Sequence, residues 1–458
     1  MKYQQQFEAL VRGAMEAYHA PGAAVSVVDR SGETLYDGFF GCRDEESGRP
    51  VTEDTIFGMA SVTKSFTCLA ALQLCEKGVL QLDAPVSRYL PQLRDERILV
   101  RHLMEHSAGF FPLKRLCIPD VVGEMDGYDP QKELAYDAAL AEEGQRRVIG
   151  RFNAVPEEER PGAPGEFMSY CNDGYGLLSE LIRLYGGELS FAEYLKKNIL
   201  APLGMERSGC EFVSPFRDEN CTSLYLDVDG VHTRRNDFYD NAFVLHGGGA
   251  LRSTVRDMKR YLHMLMNGGA GLVSPWIFAE LTRPGPVCDH GARYCRGLMK
   301  ETVGGTVFFH HNGGMTGISN RLMWAPEQGI GVLAFCNKSS FPITTVAHAA
   351  FDAFALGKEP GTPEMITPSR ADALGKDKAA VLGVYRSEEG AYWRLFEDES
   401  GMLLSETSGR APNPVQVFPD GTLAVSRPYS TIRLEPMEVA NGRRALRTGS
   451  RIVPKTDQ

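Results

Sequence analysis

The 458-residue sequence has no run of about 18 apolar residues, which argues against a membrane-spanning helix. It has no dense cluster of lysine and arginine, and its formal net charge is −10. That balance argues against nucleic acid or an anionic membrane as partner. The first twenty residues, MKYQQQFEALVRGAMEAYHA, read as an amphipathic helix with no apolar core or cleavage site of a signal peptide. None of the ten cysteines forms a Cys-x-x-Cys pair, so a zinc cluster is not expected. They read as reduced thiols of a cytoplasmic protein. Residues 371–458 hold no cysteine or histidine, and their 12 basic and 12 acidic side chains cancel. The negative excess therefore lies in the first 370 residues.

What is present is dominated by one stretch, Gly58 to Cys75. From Phe66 to Cys75 only Thr67 and Gln73 are conventionally polar, and a helix apolar on nearly every side is buried. Gly78 is a natural stop beyond its end. Ser61 and Lys64 stand three residues apart at its start and share a face of the first turn. A capping serine is usually followed three residues on by Glu or Gln, because the helix N-terminus carries partial positive charge. Lys64 has the wrong sign for that role. Dipole and burial both push it towards the free amine. A free amine beside a serine hydroxyl is a general base beside a nucleophile, a known variant of serine catalysis. Ser-x-x-Lys arises by chance about once in a chain of this length; here it occurs once, at a buried helix start.

Along the chain, 22–29 and 33–41 read as a hairpin around Arg30-Ser31-Gly32. Short helices are expected near 98–109 and 191–200, and longer ones over 171–186, 254–266 and 344–356. Thr254-x-x-Asp257 looks like a capping box. Three strands are expected at 303–311, 318–324 and 330–336. Residues 357–375 read as a linker rich in Gly, Pro, Thr and Ser. Beyond it, turn signals at Glu389-Gly390, Ser400-Gly401, Asp420-Gly421 and Asn441-Gly442 separate short alternating runs, the pattern of a small β barrel or meander.

Five motifs follow in order: Ser61-Val62-Thr63-Lys64, Val100 to Gly109 (VRHLMEHSAG), Pro164 to Asn172 (PGEFMSYCN), Gly248 to Ser253 (GGALRS) and His311-Asn312-Gly313-Gly314. Together they resemble the serine β-lactamase/penicillin-recognising superfamily, most closely its class C β-lactamase-like esterases and D-aminopeptidases, over about the first 355 residues. The resemblance implies an α/β fold: an antiparallel sheet flanked by helices, with an inserted helical region, spanning 1–356. A lipocalin-like all-β domain would follow at 376–458. It implies Ser61 as acylated nucleophile, Lys64 as its partner base, Tyr170 as a second acid/base group and Asn172 as orienting substrate and Lys64. His311, Asn312 and Gly313 would line the substrate wall, and the backbone N–H groups of Ser61 and Gly314 would form the oxyanion hole. A phenol beside a lysine ammonium is expected to have a lowered pKa; which of Lys64 and Tyr170 is the primary base stays open.

Other readings of the same residues stand beside these. A second Tyr-x-Asn occurs at Tyr239-Asp240-Asn241, and Asn172 could simply cap its helix. His311 could be an ordinary strand histidine, while His310 points to the opposite face. His102-Leu103-Met104-Glu105-His106 matches H-x-x-E-H, a metalloprotease pattern. The expectation is a serine hydrolase without metal or cofactor, acting on a small ester or amide or a short D-amino-acid peptide. A β-lactamase or D,D-peptidase, an acyltransferase using the same acyl-enzyme, and a non-catalytic binding protein are the alternatives. Oligomeric state is left open. The β tail is expected to trim the cleft or support an interface rather than to supply catalysis.

Overall fold

The computed structural model describes residues 2–124, 138–210, 218–235, 243–289, 291–361, 366–407 and 410–456. Its centre is an eight-stranded antiparallel sheet. In chain order the strands are β1 (Gly22–Asp29), β2 (Thr34–Asp44), β3 (Arg49–Pro50), β4 (Arg293–Tyr294), β5 (Met299–Val303), β6 (Thr306–Met315), β7 (Ile318–Ala325) and β8 (Ile330–Cys336). Their spatial order is β3-β2-β1-β8-β7-β6-β5-β4. The hairpin at 22–41 thus joins the late strands through β1 and β8, with Val25 opposite Ala334.

Strand alternation divides the interior into two cores. Ala23, Val25 and Val27 of β1 face one side with Val332 and Ala334 of β8; Ala24 and Val28 face the other with Leu333 and Phe335. Both faces are covered, so β7 and β8 are buried at every position. The first core holds α1 (Gln4–Ala17), which presents Phe7, Leu10, Val11 and Ala14 at helical spacing. The other holds α2 (Thr63–Glu76), α3 (Val100–Met104), α4 (Asn172–Tyr185) and α5 (Val255–Met266). Thr254 caps α5 by accepting from the Asp257 N–H at 3.1 Å. The Asp257 carboxylate does not complete a capping box. It accepts from Arg207 N and Ser208 Oγ, both at 2.8 Å. The closing helix α6 (Ile343–Phe354) lies beside α1.

The C-terminal strands are β9 (Gly383–Arg386), β10 (Tyr392–Glu397), β11 (Leu403–Glu406), β12 (Asn413–Val417), β13 (Leu423–Arg427), β14 (Ser430–Glu438), β15 (Arg444–Thr448) and β16 (Arg451–Thr456). They close into a barrel, β16 returning to β9 through Val384–Thr456 and Tyr385–Lys455. Leu395, Leu403, Val415, Val425, Leu434, Leu446 and Val453 fill its core. Ala371 and Leu374, in the stretch read as linker, are buried in that same core.

The barrel is docked on the sheet domain. Val439, Ala445 and Ile452 pack against Phe111 and Phe167. Tyr18 Oη donates to Pro428 O at 2.7 Å, and Thr345 Oγ1 to Tyr429 O at 2.6 Å. Two barrel turns, β9–β10 and β15–β16, point at the start of α4. Their tips are Gly390 (φ +98°) and Gly449 (φ +55°), left-handed positions that glycine takes without strain.

Candidate active site

Ser61 sits in a single 3-10 turn, Ala60–Val62, that runs into α2. The residue before it, Ala60, has φ +44°. A left-handed alanine is strained, and such strain persists only where packing over-determines it. Strand β6 supplies that packing: a Cβ on Gly313 would lie 2.3 Å from Met59 O, so only glycine lets the strand lie against the turn that carries Ser61. Asn320 of β7 adds a hydrogen bond to Gly58 O.

Lys64 is fully buried. Its Nζ lies 3.2 Å from Ser61 Oγ, 2.7 Å from Asn172 Oδ1 and 2.6 Å from Gly248 O. Burial drives its pKa far below the ordinary lysine value; Glu389 pulls it back up and Arg451 pushes it further down. The other polar residues of this buried helix start are satisfied by the loop at 247–251. Thr67 donates to Gly247 O at 2.8 Å, and Thr63 Oγ1 accepts from Leu251 N at 3.0 Å.

Tyr170 lies just before α4, its ring 4.7 Å from Lys64 Nζ and its phenol close to Ser61. Burial raises the pKa of the phenol, against the expectation of a lowered one. Loss of solvent around the buried phenol outweighs the lowering by Arg451 and Ser61. Asn172 is the first residue of α4, but its side chain does not cap the helix. It joins Lys64 and, through Nδ2, Glu389 Oε1 at 2.7 Å. The alternative pair Tyr239 and Asn241 lies outside the described residues.

Strand β6 separates its residues by face. His311 is buried beside Tyr170 and Tyr294. Its Nδ1 is 2.7 Å from Asn312 O, a carbonyl, so Nδ1 carries the proton. Its Nε2 therefore accepts from Tyr294 Oη at 3.1 Å. Both ring nitrogens are used and the ring is neutral, its pKa pushed down to about 3 chiefly by burial. His311 thus stands behind the site and offers no free polar atom to a substrate, which corrects its assignment to the wall. Asn312 is corrected for a different reason. Alternation turns it to the far face, where it donates to Thr344 Oγ1 at 3.1 Å and accepts from Arg321 Nη1 at 2.9 Å. His310 also faces that side, 3.2 Å from Glu301. Gly313 closes on the Ser61 turn, and Gly314 follows it opposite Ser319 of β7.

The H-x-x-E-H residues scatter. His102 Nδ1 accepts from Leu99 N at 3.2 Å, Glu105 pairs with Arg296 at 3.1 Å, and His106 lies 4.0 Å from the Tyr170 ring with Nδ1 accepting from Cys171 N. Among the described residues no group of three or more metal-binding side chains converges, and no helix is long and apolar enough to cross a membrane.

Four contributors were given no role from the sequence. Gly248 holds Lys64 through its carbonyl, and His106 packs on Tyr170. The other two come from the barrel. Glu389 accepts from Asn172 and forms a two-point pair with Arg451, at 2.5 Å from Nε and 3.2 Å from Nη2. Burial works against the Glu389 charge, but the Arg451 guanidinium holds its pKa below the usual carboxylate range. Arg451 in turn lies 4.7 Å from the Tyr170 ring, and Tyr170 N donates to Ser450 O at 3.0 Å. Two turns of the tail thus contact the residues around Ser61. Turn residues carry no hydrophobic period, so only the Glu389-Gly390 turn signal marked one of them.

The beta-lactamase family model matches residues 7–355. The chain belongs to the beta-lactamase family. Within it, an esterase of Burkholderia gladioli is 35% identical over 262 residues, 54% of this chain and 61% of the esterase. The chain thus spans less than two thirds of that relative. A D-aminopeptidase of Brucella anthropi is 26% identical over 405 residues, 87% of this chain and 68% of the peptidase. Among solved structures, an octameric penicillin-binding protein homologue from Pyrococcus abyssi superposes with a TM-score of 0.68 at 27% identity, covering 98% of this chain and 99% of that one. The likeness to that structure therefore extends through the barrel, beyond the residues that the family model matches.

Proposed function

We propose that the chain is a serine hydrolase that forms an acyl-enzyme on Ser61. The observation that carries this reading is the set of neighbours around Lys64 Nζ. A neutral amine has two N–H donors and one lone pair. Asn172 Oδ1 and Gly248 O can only accept, so they take both donors. The lone pair is left for the third neighbour, Ser61, whose O–H donates to it.

From that arrangement the reaction follows. Ser61 Oγ attacks the substrate carbonyl carbon while its proton passes to Lys64 Nζ. The oxygen of the tetrahedral intermediate takes the negative charge and is received by the N–H groups of Ser61 and Gly314. Collapse breaks the bond to the leaving group. Tyr170, kept protonated by burial, is suited to donate to that group and to recover a proton from Lys64. Water then attacks the acyl carbon, with Lys64 again as base, and releases Ser61. In this scheme Lys64 is the base and Tyr170 the acid.

The substrate class is a small ester or amide without a carboxylate anchor at the β6 wall. There the Lys-Thr-Gly or Lys-Ser-Gly usual in β-lactamases is replaced by His311-Asn312-Gly313, with a neutral imidazole and an amide turned away. The names of the esterase and D-aminopeptidase relatives support that choice. The test is intact mass after treatment with a fluorophosphonate, followed by a panel of nitrophenyl esters, D-aminoacyl amides and a chromogenic cephalosporin. One adduct on Ser61 and preferential ester or amide turnover are expected. An unlabelled but folded protein contradicts the nucleophile, and a cephalosporin turned over near the diffusional range of about 10⁸ M⁻¹s⁻¹ contradicts the substrate class.

A further inference from the structure

Asn172 can hold Lys64 in two ways. With Oδ1 towards Nζ it accepts an N–H and leaves the amine lone pair on Ser61. Flipped, it would direct Nδ2–H at that lone pair and consume the electrons that must take the Ser61 proton. Nothing in the shape of an amide selects between these states, since its oxygen and nitrogen are nearly the same size. The selection must come from what lies on its other side.

That neighbour is Glu389 of the β9–β10 turn, its Oε1 2.7 Å from Asn172 Nδ2. An ionised carboxylate only accepts, so it admits the amide NH₂ and rejects the amide oxygen. The carboxylate is kept ionised by Arg451 of β16, which spans both its oxygens. A continuous chain thus runs Arg451–Glu389–Asn172–Lys64–Ser61, its first two members from the barrel. Resting on the hydrolase reading above, we propose that Glu389 is a positioning residue of the active site: it fixes the Asn172 amide so that the Lys64 lone pair stays on Ser61, and the barrel is therefore a working part of the catalytic unit.

The test uses the full chain. Glu389→Ala should lower kcat on a short nitrophenyl ester by roughly 10–100-fold, the scale of losing one charge-assisted hydrogen bond, with KM changed less than threefold. Glu389→Gln, which can still accept through its amide oxygen, should recover part of that loss. The Asn172→Ala, Glu389→Ala double variant should be no slower than Asn172→Ala alone, because the carboxylate acts through the amide. A second readout is the acidic limb of kcat/KM. The groups facing Lys64 are Tyr170, Tyr175, Cys68, Cys171 and neutral His106 and His311 from the sheet domain, with Glu389 and Arg451 from the barrel. Removing the carboxylate removes what holds the ammonium form up, so the limb should move to lower pH. Circular dichroism and thermal midpoint report folding separately. A folded Glu389→Ala with unchanged kcat, or losses that add in the double variant, overturns the proposal. If Ser61→Ala retains activity, the hydrolase reading fails first, whatever Glu389 does.

Discussion

The sheet domain and the barrel differ in how they hold charge. Around Ser61 the sheet domain buries Lys64, His106, His311, Tyr170 and Tyr294, and desolvation disfavours the charged forms of the lysine and imidazoles. The barrel has no histidine and contributes an ion pair, Glu389–Arg451, with both members charged. On the proposed mechanism, one region makes a base by withholding solvent and the other supplies a fixed field and a hydrogen-bond direction. Reactivity and orientation can thus be held by separate parts of one chain.

The sharpest way to break that division is at the nucleophile. Ser61→Ala should reduce kcat by several orders of magnitude while leaving the thermal midpoint nearly unchanged, because it removes one hydroxyl from a group acting as a unit. Ester hydrolysis and thermal melts measure both. Next in size, Lys64→Ala and Tyr170→Phe should each cost about 10²–10⁴ in kcat, with the double variant little worse than either. Losses that multiply would show that the two groups act independently.

Removing the barrel should come third. A chain ending at residue 360 loses Glu389 and Arg451 and uncovers Phe111 and Phe167. Activity on a small activated ester should fall at least as far as in Glu389→Ala, and the fragment should self-associate in gel filtration. Full activity in a monomeric fragment would reduce the barrel to an appendage. A milder variant, Leu434→Ala, empties part of the barrel core. It should lower stability by about 2–5 kcal/mol in denaturant melts, with kcat unchanged while the barrel stays folded.

The smallest expected effect is the pH response. The mechanism needs Lys64 as the free amine, and its pKa in the fold is depressed. Activity should hold above that depressed value and fall as pH drops through it. Unmodified lysine would give a limb near 10.4, so a limb well below that supports the buried base. Glu389→Gln removes the carboxylate that favours the ammonium form of Lys64, so the limb should shift downward.

Much of this was legible in the sequence. Helix periods, the hairpin around Ser31 and the glycine turns of the barrel have local causes, and the structure has them. Ser61 and Lys64 stood out because a lysine breaks the local rule at a helix start, whereas Tyr170 and Asn172 came from the resemblance of the motifs that hold them. The wall was read less well: the alternation that sends His310 away from His311 sends Asn312 away too. Glu389 and Arg451 break no rule where they stand, since a charged residue at a hairpin end is ordinary. Only the fold, bringing the two turns onto α4, gives them a part.

That contact also sets an order in time. Asn172 precedes Glu389 by 217 residues. A ribosome adding about 5–20 residues each second needs roughly 10–40 s to cover that distance. During that interval Gly248 and strand β6, which hold Lys64 and the Ser61 turn, are still being made, and the carboxylate that contacts the Asn172 amide follows them. On the proposed positioning role of Glu389, every sheet-domain residue around Ser61 is thus synthesised before the group that orients Asn172.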